Sequence, residues 1–293
     1  NYEHFMEIEE KVEIPVTKDK RIRRVVIDIV CFFVLLVFIG SVVFLLSSFL
    51  NRLIPQIAMN STLLLITEET LMLGSVFLSS WLVLRYNRMP LSVLGLSLRG
   101  RWKDWLAGML FAIGLYIVGF GASLSLGAVA VSGASFHFPS LLISLLFFLL
   151  VGVMEELMMR GFVLGRMLDG GVNKFTALFV SSVLFSLLHL FNPNFEFLPF
   201  LNILLAGILL GASYIYTRNL CFPIALHWFW NWIQGPVLGY EVSGNRFQDS
   251  FLTLSLSGPN LINGGSFGFE GSLLCTILLI AGSAIIFRYY SRK

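Results

Sequence analysis

Long apolar runs alternate with short polar segments along most of the chain. About 20 helical residues cross the hydrocarbon core of a bilayer, and we identify eight runs of suitable length. Their approximate bounds are 25–50, 63–84, 105–132, 140–168, 174–192, 200–217, 221–240 and 272–290. The short alternating segments that a transmembrane barrel needs are not evident. The pattern predicts an all-α fold, a polytopic membrane helical bundle with about eight transmembrane helices.

The polar segments predict a tail and a single membrane domain. Residues 1–24 are polar and mixed in charge, which predicts a cytoplasmic tail, and residues 25–293 form the membrane domain. The segment 241–271 is rich in Gly, Ser and Asn and predicts an outer loop with room for a short surface helix. The first run, 25–50, is too long for the apolar core of a signal peptide and therefore predicts a spanning helix.

The basic residues predict the orientation of the bundle. If the N-terminal tail is inside, all of the 20 Lys and Arg residues except Arg52 and Arg246 fall in inner segments. Cytoplasmic loops of membrane proteins are enriched in Lys and Arg, so we expect both termini to be cytoplasmic. No nuclear or organelle signal is evident, which favours a prokaryotic plasma membrane.

The composition agrees with a bilayer as the surrounding medium. Hydrophobic residues make up 57% of the chain and charged residues 13%, whereas an average soluble domain has about 25% charged residues. The net charge of +3 is small and scattered, which argues against a nucleic-acid partner. Three cysteines in apolar runs offer neither a disulfide framework nor a CxxC metal pair.

Three ionisable residues stand together inside the fourth run. A charge near the bilayer centre is costly, so Glu155, Glu156 and Arg160 are functional candidates. Glu156 and Arg160 are four residues apart and share a helix face, which predicts an ion pair. Glu155 is rotated by about 100° from Glu156 and is free for another partner. The alternative interpretation is a buried ion-pair cluster that fixes helix packing.

Two other runs each carry a histidine paired with a second residue at helical spacing. Phe185 and His189 are four residues apart, as are His227 and Asn231, so each pair projects from one face of its helix. A lone histidine in an apolar helix is often a hydrogen-bonded packing residue, and a His–Asn pair can simply join helices. The functional interpretation is that both faces line a shared cavity.

The three motifs together are more specific than any one of them. In chain order they are Glu155-Glu156-Leu-Met-Met-Arg160, Phe185-Ser-Leu-Leu-His189 and His227-Trp-Phe-Trp-Asn231. This order resembles the CAAX protease and bacteriocin-processing (CPBP) family of intramembrane proteases, which includes the CAAX prenyl endopeptidases and the bacterial Abi proteins. The resemblance covers a core of about 140–235, and every motif position is filled.

The resemblance implies an intramembrane endopeptidase that hydrolyses peptide bonds with activated water. A carboxylate removed from solvent is a usable general base, and we assign this role to Glu155, with His189 helping to hold and deprotonate the water. His227 and Asn231 are assigned as hydrogen-bond donors to the oxyanion. The implied partners are membrane lipid and a peptide or protein substrate, either prenylated or membrane-anchored.

Several alternatives stay open. Glu155, His189 and His227 also offer the ligand types of a zinc metalloprotease, but no His-Glu-x-x-His motif is present, so we favour a reaction without a cofactor. Under that hypothesis Glu156 and Arg160 orient the site or meet a polar part of the substrate. A non-catalytic scaffold or bacteriocin self-immunity protein with a membrane-protein partner is the other alternative. A proton-coupled transporter is less favoured, because no inverted repeat is evident.

Three further acidic residues receive structural interpretations. Glu68 and Glu69 follow Thr67 near the start of the second run, which predicts a capped helix N-terminus at the outer interface. Asp28 lies near the inner boundary of the first run and is predicted to be interfacial. The depths predicted for His227, Glu155 and His189 differ, so a single site requires tilted helices.

Overall fold

Helices make up most of the chain that the computed structural model describes. The described residues are 17–53, 61–246 and 249–292, so residues 1–16 of the predicted tail lie outside them. The helices are α1 (Lys18–Leu53), α2 (Ser61–Tyr86), α3 (Trp102–Ser125), α4 (Phe138–Glu156), α5 (Gly165–Asp169), α6 (Lys174–Leu188), α7 (Phe197–Thr217), α8 (Cys221–Trp232), α9 (Asn260–Asn263) and α10 (Leu273–Ser291). The π-helical segments Leu157–Leu164 and Ile233–Val237 continue α4 and α8, and short 3-10 turns lie at Leu91–Leu94, Gly265–Phe267 and Phe269–Gly271. Each predicted apolar run contains a helix.

Five helical stretches are long and apolar enough to cross a membrane. They are Lys18–Phe49, Trp102–Ser125, Phe138–Asp169, Phe197–Thr217 and Leu273–Ser291. The helix Lys174–Leu188 is apolar but shorter. The chain is therefore a mostly helical integral membrane protein, whereas the total of eight spans stays a prediction.

The structure also contains a two-stranded β-ribbon, which the apolar pattern does not predict. Strands β1 (Val129–Ala134) and β2 (Leu252–Leu256) pair in antiparallel fashion, with an irregularity between Val131 and Gly133. Strand β2 and helix α9 both lie in the segment 241–271. The ribbon therefore ties this segment to the connection between α3 and α4.

The third helix is shorter than its apolar run predicts. The run was bounded at 105–132, but α3 ends at Ser125. Gly127 then adopts a left-handed backbone conformation with φ +66°, which a glycine accommodates without steric cost and which turns the chain. The following Val129 and Val131 are β-branched and suit an extended strand. Hydrophobicity alone does not distinguish this strand from a continuing helix.

Close helix packing places α8 beside both α3 and α4. Helix α7 in turn packs against α6 and α10, and α2 packs against α1 and α4. Gly108 of α3 faces the backbone of α8, where an added Cβ would lie 2.5 Å from the Phe222 carbonyl oxygen. The absence of a side chain at Gly108 therefore lets α8 approach α3 closely. Helix α8 carries His227 and Asn231, so this contact helps to fix their position.

An ion-pair cluster joins α1, α5 and the end of α7. Asp28, predicted to be interfacial, is 4% exposed, and it accepts a hydrogen bond of 2.6 Å from Arg166 Nη2. Arg166 Nη1 also lies 3.4 Å from Asp169 Oδ2, and Asp169 accepts a second hydrogen bond from Arg218. Buried charges are tolerated when they are paired in this way.

Candidate active site

Both glutamates of the first motif lie in the last turn of α4. The π-helical segment Leu157–Leu164 begins directly after Glu156 and contains Arg160. Segments of π-helix are rare and frequently occur at functional sites, because the wider turn changes where the following side chains point. Arg160 nevertheless reaches back to the preceding turn, and its Nη1 donates to Glu156 Oε1 at 2.8 Å.

Glu156 joins two other helices to α4. Its side chain is fully buried, and Oε1 accepts hydrogen bonds from Arg160 Nη1 at 2.8 Å and from His227 Nδ1 at 2.9 Å. Arg160 Nη2 donates to the Gly207 carbonyl oxygen of α7 at 3.1 Å. Glu156 and Arg160 therefore form a buried link between α4, α7 and α8, consistent with an orienting position behind the site.

Glu155 has a different environment from Glu156. Its side chain is 19% exposed, and it lines a cavity. His227 Nε2 lies 3.7 Å from Glu155 Oε2. This separation is longer than a direct hydrogen bond. The two ring nitrogens of His227 thus face two different carboxylates, with Glu156 bonded and Glu155 near by.

The geometry of His189 indicates which ring nitrogen carries a proton. His189 follows the last residue of α6, and its Nδ1 lies 2.8 Å from the Phe185 carbonyl oxygen. A carbonyl oxygen can only accept, so Nδ1 must donate this hydrogen bond. In the neutral ring, Nε2 is then unprotonated and available to accept a proton or a hydrogen bond. His189 also lines the cavity that Glu155 faces.

The aromatic residue of the second motif contacts three polar groups of the site. The Phe185 ring centroid lies 4.8 Å from that of His189 and 6.1 Å from that of His227. The Arg160 guanidinium carbon lies 4.4 Å from the same ring centroid, a cation–π arrangement. Phe185 is buried, so its ring supports both imidazoles and the guanidinium at fixed positions.

One cavity of about 900 Å³ brings the predicted catalytic residues together. Glu155, His189, His227 and Asn231 all line it, whereas Glu156 and Arg160 are buried outside its lining. Its other walls are mainly apolar side chains of α1, α2, α4 and α7. Such a volume is typical of small-molecule and peptide-sized sites. The different depths predicted along the three helices therefore do not prevent them from meeting.

The cavity also contains Glu69, for which the predicted helix cap is wrong. Helix α2 begins at Ser61, so Glu69 lies in its third turn instead of at its N-terminus. Glu69 lines the same cavity as Glu155, and its Oε1 is buried without a hydrogen-bond partner among the described residues. The sequence Thr67-Glu68-Glu69 misled the prediction, because this cap-like pattern lies inside a helix that begins at Ser61.

A third carboxylate in the cavity, Glu270, is not among the predicted site residues. It is 4% exposed. It accepts hydrogen bonds of 2.9 Å from Trp230 Nε1, of 2.9 Å from both the backbone N and Oγ of Ser243, and of 3.2 Å from Gln234 Nε2. These bonds hold the segment around Ser243 against the end of α8. No local sequence pattern marks Glu270, since all three partners are distant along the chain.

The alternative zinc ligands share the cavity without forming a metal-binding arrangement. Within residues 17–53, 61–246 and 249–292, no three His, Cys, Asp or Glu side chains are positioned to hold a metal ion together. Glu155 and His227 approach each other at 3.7 Å, while His189 Nδ1 is bonded to a backbone carbonyl. We therefore assign no step of the chemistry below to a metal.

Comparisons with known proteins connect this site to a family. No curated protein and no solved structure shows significant similarity to the chain. Residues 135–233 match the family model described as type II CAAX prenyl endopeptidase Rce1-like. The matched segment contains the residues of all three motifs, and it supports a protease active on a peptide or protein substrate in a membrane context. Residues 135–233 are therefore similar to the type II CAAX prenyl endopeptidases of the Rce1-like family, as the three motifs indicate.

Proposed function

We propose that this protein is an intramembrane endopeptidase of the CAAX-protease type, which hydrolyses a peptide bond near the membrane surface. The observation that carries the proposal is the convergence of Glu155, His189, His227 and Asn231 on one cavity of about 900 Å³. These residues come from three helical segments of the chain and all lie within the matched residues 135–233. Carboxylate, imidazole and amide groups are the chemistry that acyl transfer to water needs.

Glu155 is the proposed general base. Glu156 is already occupied by Arg160 and His227, whereas Glu155 faces the cavity, where a water and a substrate carbonyl have room. His189 Nε2 is the second acceptor for the water, since its Nδ1 donates to a backbone carbonyl. The water oxygen attacks the carbonyl carbon as its proton passes to this pair. Glu155 then returns the proton to the leaving nitrogen as the C–N bond breaks.

His227 and Asn231 are the proposed donors to the oxyanion. They stand on one face of α8 and line the same cavity as Glu155. The Asn231 amide donates without any change of protonation. His227 Nδ1 already donates to Glu156, so a donor at Nε2 requires the ring to carry both protons. Glu156 and Arg160 then act by holding His227 in place, because Glu156 Oε1 bonds both side chains.

The test compares wild-type protein with Glu155→Gln in detergent or liposomes, using quenched fluorescent peptides that include a farnesylated CAAX peptide. A general base contributes roughly 10²–10⁴-fold to rate, so we expect the variant to lose activity by about that factor while its melting temperature changes little. Cleavage at an unchanged rate would remove Glu155 from the mechanism. Inactivity of both folded proteins would favour the non-catalytic scaffold or self-immunity alternative.

The same assay separates the proposed mechanism from its zinc alternative. A reaction that needs no metal retains full activity in a strong chelator, and metal analysis of the purified active protein finds no stoichiometric zinc. Loss of activity in chelator, restored by added Zn²⁺, would instead assign Glu155, His189 and His227 as zinc ligands.

The Lys and Arg distribution supports cytoplasmic positions for both termini. We propose a prokaryotic plasma membrane as the location. The substrate is proposed to be membrane-anchored or prenylated, because the cavity walls are mainly apolar.

A further inference from the structure

A carboxylate outside the matched family domain shares the cavity with Glu155. Glu69 lies on α2, and with Met72 and Val76 it forms one helix face that lines the cavity. The spacing of three and seven residues places these side chains on the same side of a helix. The neighbouring Glu68 points elsewhere and is exposed. Only one member of the Glu68-Glu69 pair is therefore directed into the cavity.

The Glu69 carboxylate has an unused hydrogen-bonding atom. Its Oε1 is buried and has no partner among the residues that the structure describes. A buried acceptor without a donor is unfavourable, and Glu69 does not belong to the network of Glu156, Arg160 and His227. A donor supplied by a ligand in the cavity would satisfy it.

The charges around the cavity favour a cationic ligand group. Its described lining includes Glu69, Glu155 and Glu270, together with His189 and His227, but no Lys or Arg. Glu270 is satisfied by its hydrogen bonds with Trp230, Gln234 and Ser243, all within the protein. Glu69 lines the same cavity as Glu155. Two like charges facing a mainly apolar space repel each other, and a cation between them relieves that repulsion.

We infer that Glu69 is a specificity-determining residue, which holds a positively charged side chain of the peptide substrate in the cavity. This inference rests on the proposed function. Helices α2 and α4 pack side by side, so Glu69 and Glu155 stand on neighbouring walls of the cavity. A Lys or Arg held by Glu69 would lie within a few residues of the bond that Glu155 and His189 attack. A backbone N–H would satisfy the Oε1 atom but would leave the excess negative charge.

The test measures binding separately from cleavage, in the Glu155→Gln background. The ligands are fluorescent apolar peptides that carry Lys at one position, scanned along the sequence, and matched peptides with neutral norleucine at that position. At one or a few positions we expect the Lys peptide to bind at least about tenfold more tightly than the norleucine peptide, which corresponds to about 1.4 kcal/mol. Adding Glu69→Gln should remove most of this preference, because it keeps the shape and deletes the charge.

Two further variants control for folding and for nonspecific charge effects. Glu68→Gln removes an adjacent but exposed carboxylate and should leave the Lys preference intact. Glu69→Asp keeps the charge on a shorter side chain and should retain part of the preference. Equal binding of Lys and norleucine peptides at every position would overturn the inference. A Lys preference that survives Glu69→Gln would also overturn the inference. So would the absence of binding by every peptide tested.

The binding readout also distinguishes this inference from the proposed function. Lys-dependent binding that requires Glu69, in a protein whose wild-type form cleaves none of the peptides, would sustain the recognition role and reject the peptidase. If wild-type protein does cleave, the ratio of kcat/KM for Lys and norleucine peptides should fall in Glu69→Gln, mainly through KM. An equal loss of kcat for both peptides would place Glu69 in the chemistry and overturn the recognition role.

Discussion

The two adjacent glutamates at the end of α4 differ in what surrounds them. Helical rotation separates Glu155 from Glu156 by about 100°, and this local rule correctly predicts that Glu156, not Glu155, contacts Arg160. The rule does not predict that His227 bonds to Glu156, because that contact joins residues on different helices. A contact within one helix, such as that of Glu156 with Arg160, is thus predictable from sequence, whereas a contact between helices is not.

Removing Arg160 is expected to destabilise the protein strongly. The Arg160→Ala variant removes the guanidinium partner of the fully buried Glu156 carboxylate and deletes the bond to the Gly207 carbonyl. Loss of one partner of a buried pair typically costs about 3–5 kcal/mol. Thermal unfolding in detergent, monitored by intrinsic fluorescence, should show a large fall in melting temperature.

The control for this variant is Arg101→Ala. Arg101 pairs with Asp104 at 3.1 Å, but the two side chains are 38% and 29% exposed. Exposed pairs contribute roughly 0–1 kcal/mol, so the melting temperature should change little. A similar small change for Arg160→Ala would show that the buried pair is not required for stability.

At the scale of helices, glycine positions determine how closely α8 approaches its neighbours. An Ala at position 108 would place Cβ within 2.5 Å of the Phe222 carbonyl oxygen and 2.9 Å of the Leu226 backbone nitrogen. These are backbone atoms, so they can move only if α8 moves. Overpacking of this kind costs about 1–3 kcal/mol.

We therefore expect Gly108→Ala to lower the melting temperature and also peptidase activity, because α8 carries His227 and Asn231. The matched variant Gly114→Ala is on the same helix and meets nothing within 4 Å. It should leave stability unchanged or slightly raised, since Ala is the better helix former. Equal behaviour of the two variants would contradict the close α3–α8 contact.

The sequence predicts the presence of the helices better than it predicts their ends or the strands. Each apolar run contains a helix, because a long apolar stretch in a membrane can satisfy its backbone only in regular structure. The end of α3 and strand β1 were missed, since β1 continues the apolar run and its partner β2 is more than 100 residues away. Helix α2 starts earlier than predicted for a related reason, since the polar Ser61 and Thr62 at its start do not extend an apolar pattern.

At the scale of the whole molecule, the motifs predicted which residues meet but not everything that surrounds them. Glu270 bonds to Trp230, 40 positions away, and to Ser243, 27 positions away. Neither separation corresponds to a helical or strand period, so only the folded chain shows that the segment 241–271 contributes to the cavity wall. The position of Glu69 in the cavity is also not predictable from local sequence. Glu69 and Glu155 share the cavity because α2 packs against α4.

The orientation of the bundle determines which side of the membrane the segment 241–271 faces. The cavity reaches Ser243 and Asn245, which precede the exposed Arg246. Because Lys and Arg concentrate on the opposite side of the predicted helices, we expect Arg246 outside the cytoplasm and the exposed Arg99 inside it.

Cysteine labelling tests this orientation in a Cys31→Ser background, which removes the exposed native cysteine and keeps the buried Cys221 and Cys275. A membrane-impermeant maleimide should label Arg246→Cys in intact cells, because position 246 is exposed on the outer side. It should label Arg99→Cys only after the membrane is permeabilised. The opposite result would turn the Ser243 end of the cavity towards the cytoplasm. Labelling at both positions in intact cells would place residues 99 and 246 on the same side of the membrane. The number of spans between them would then be even, whereas the predicted number is odd.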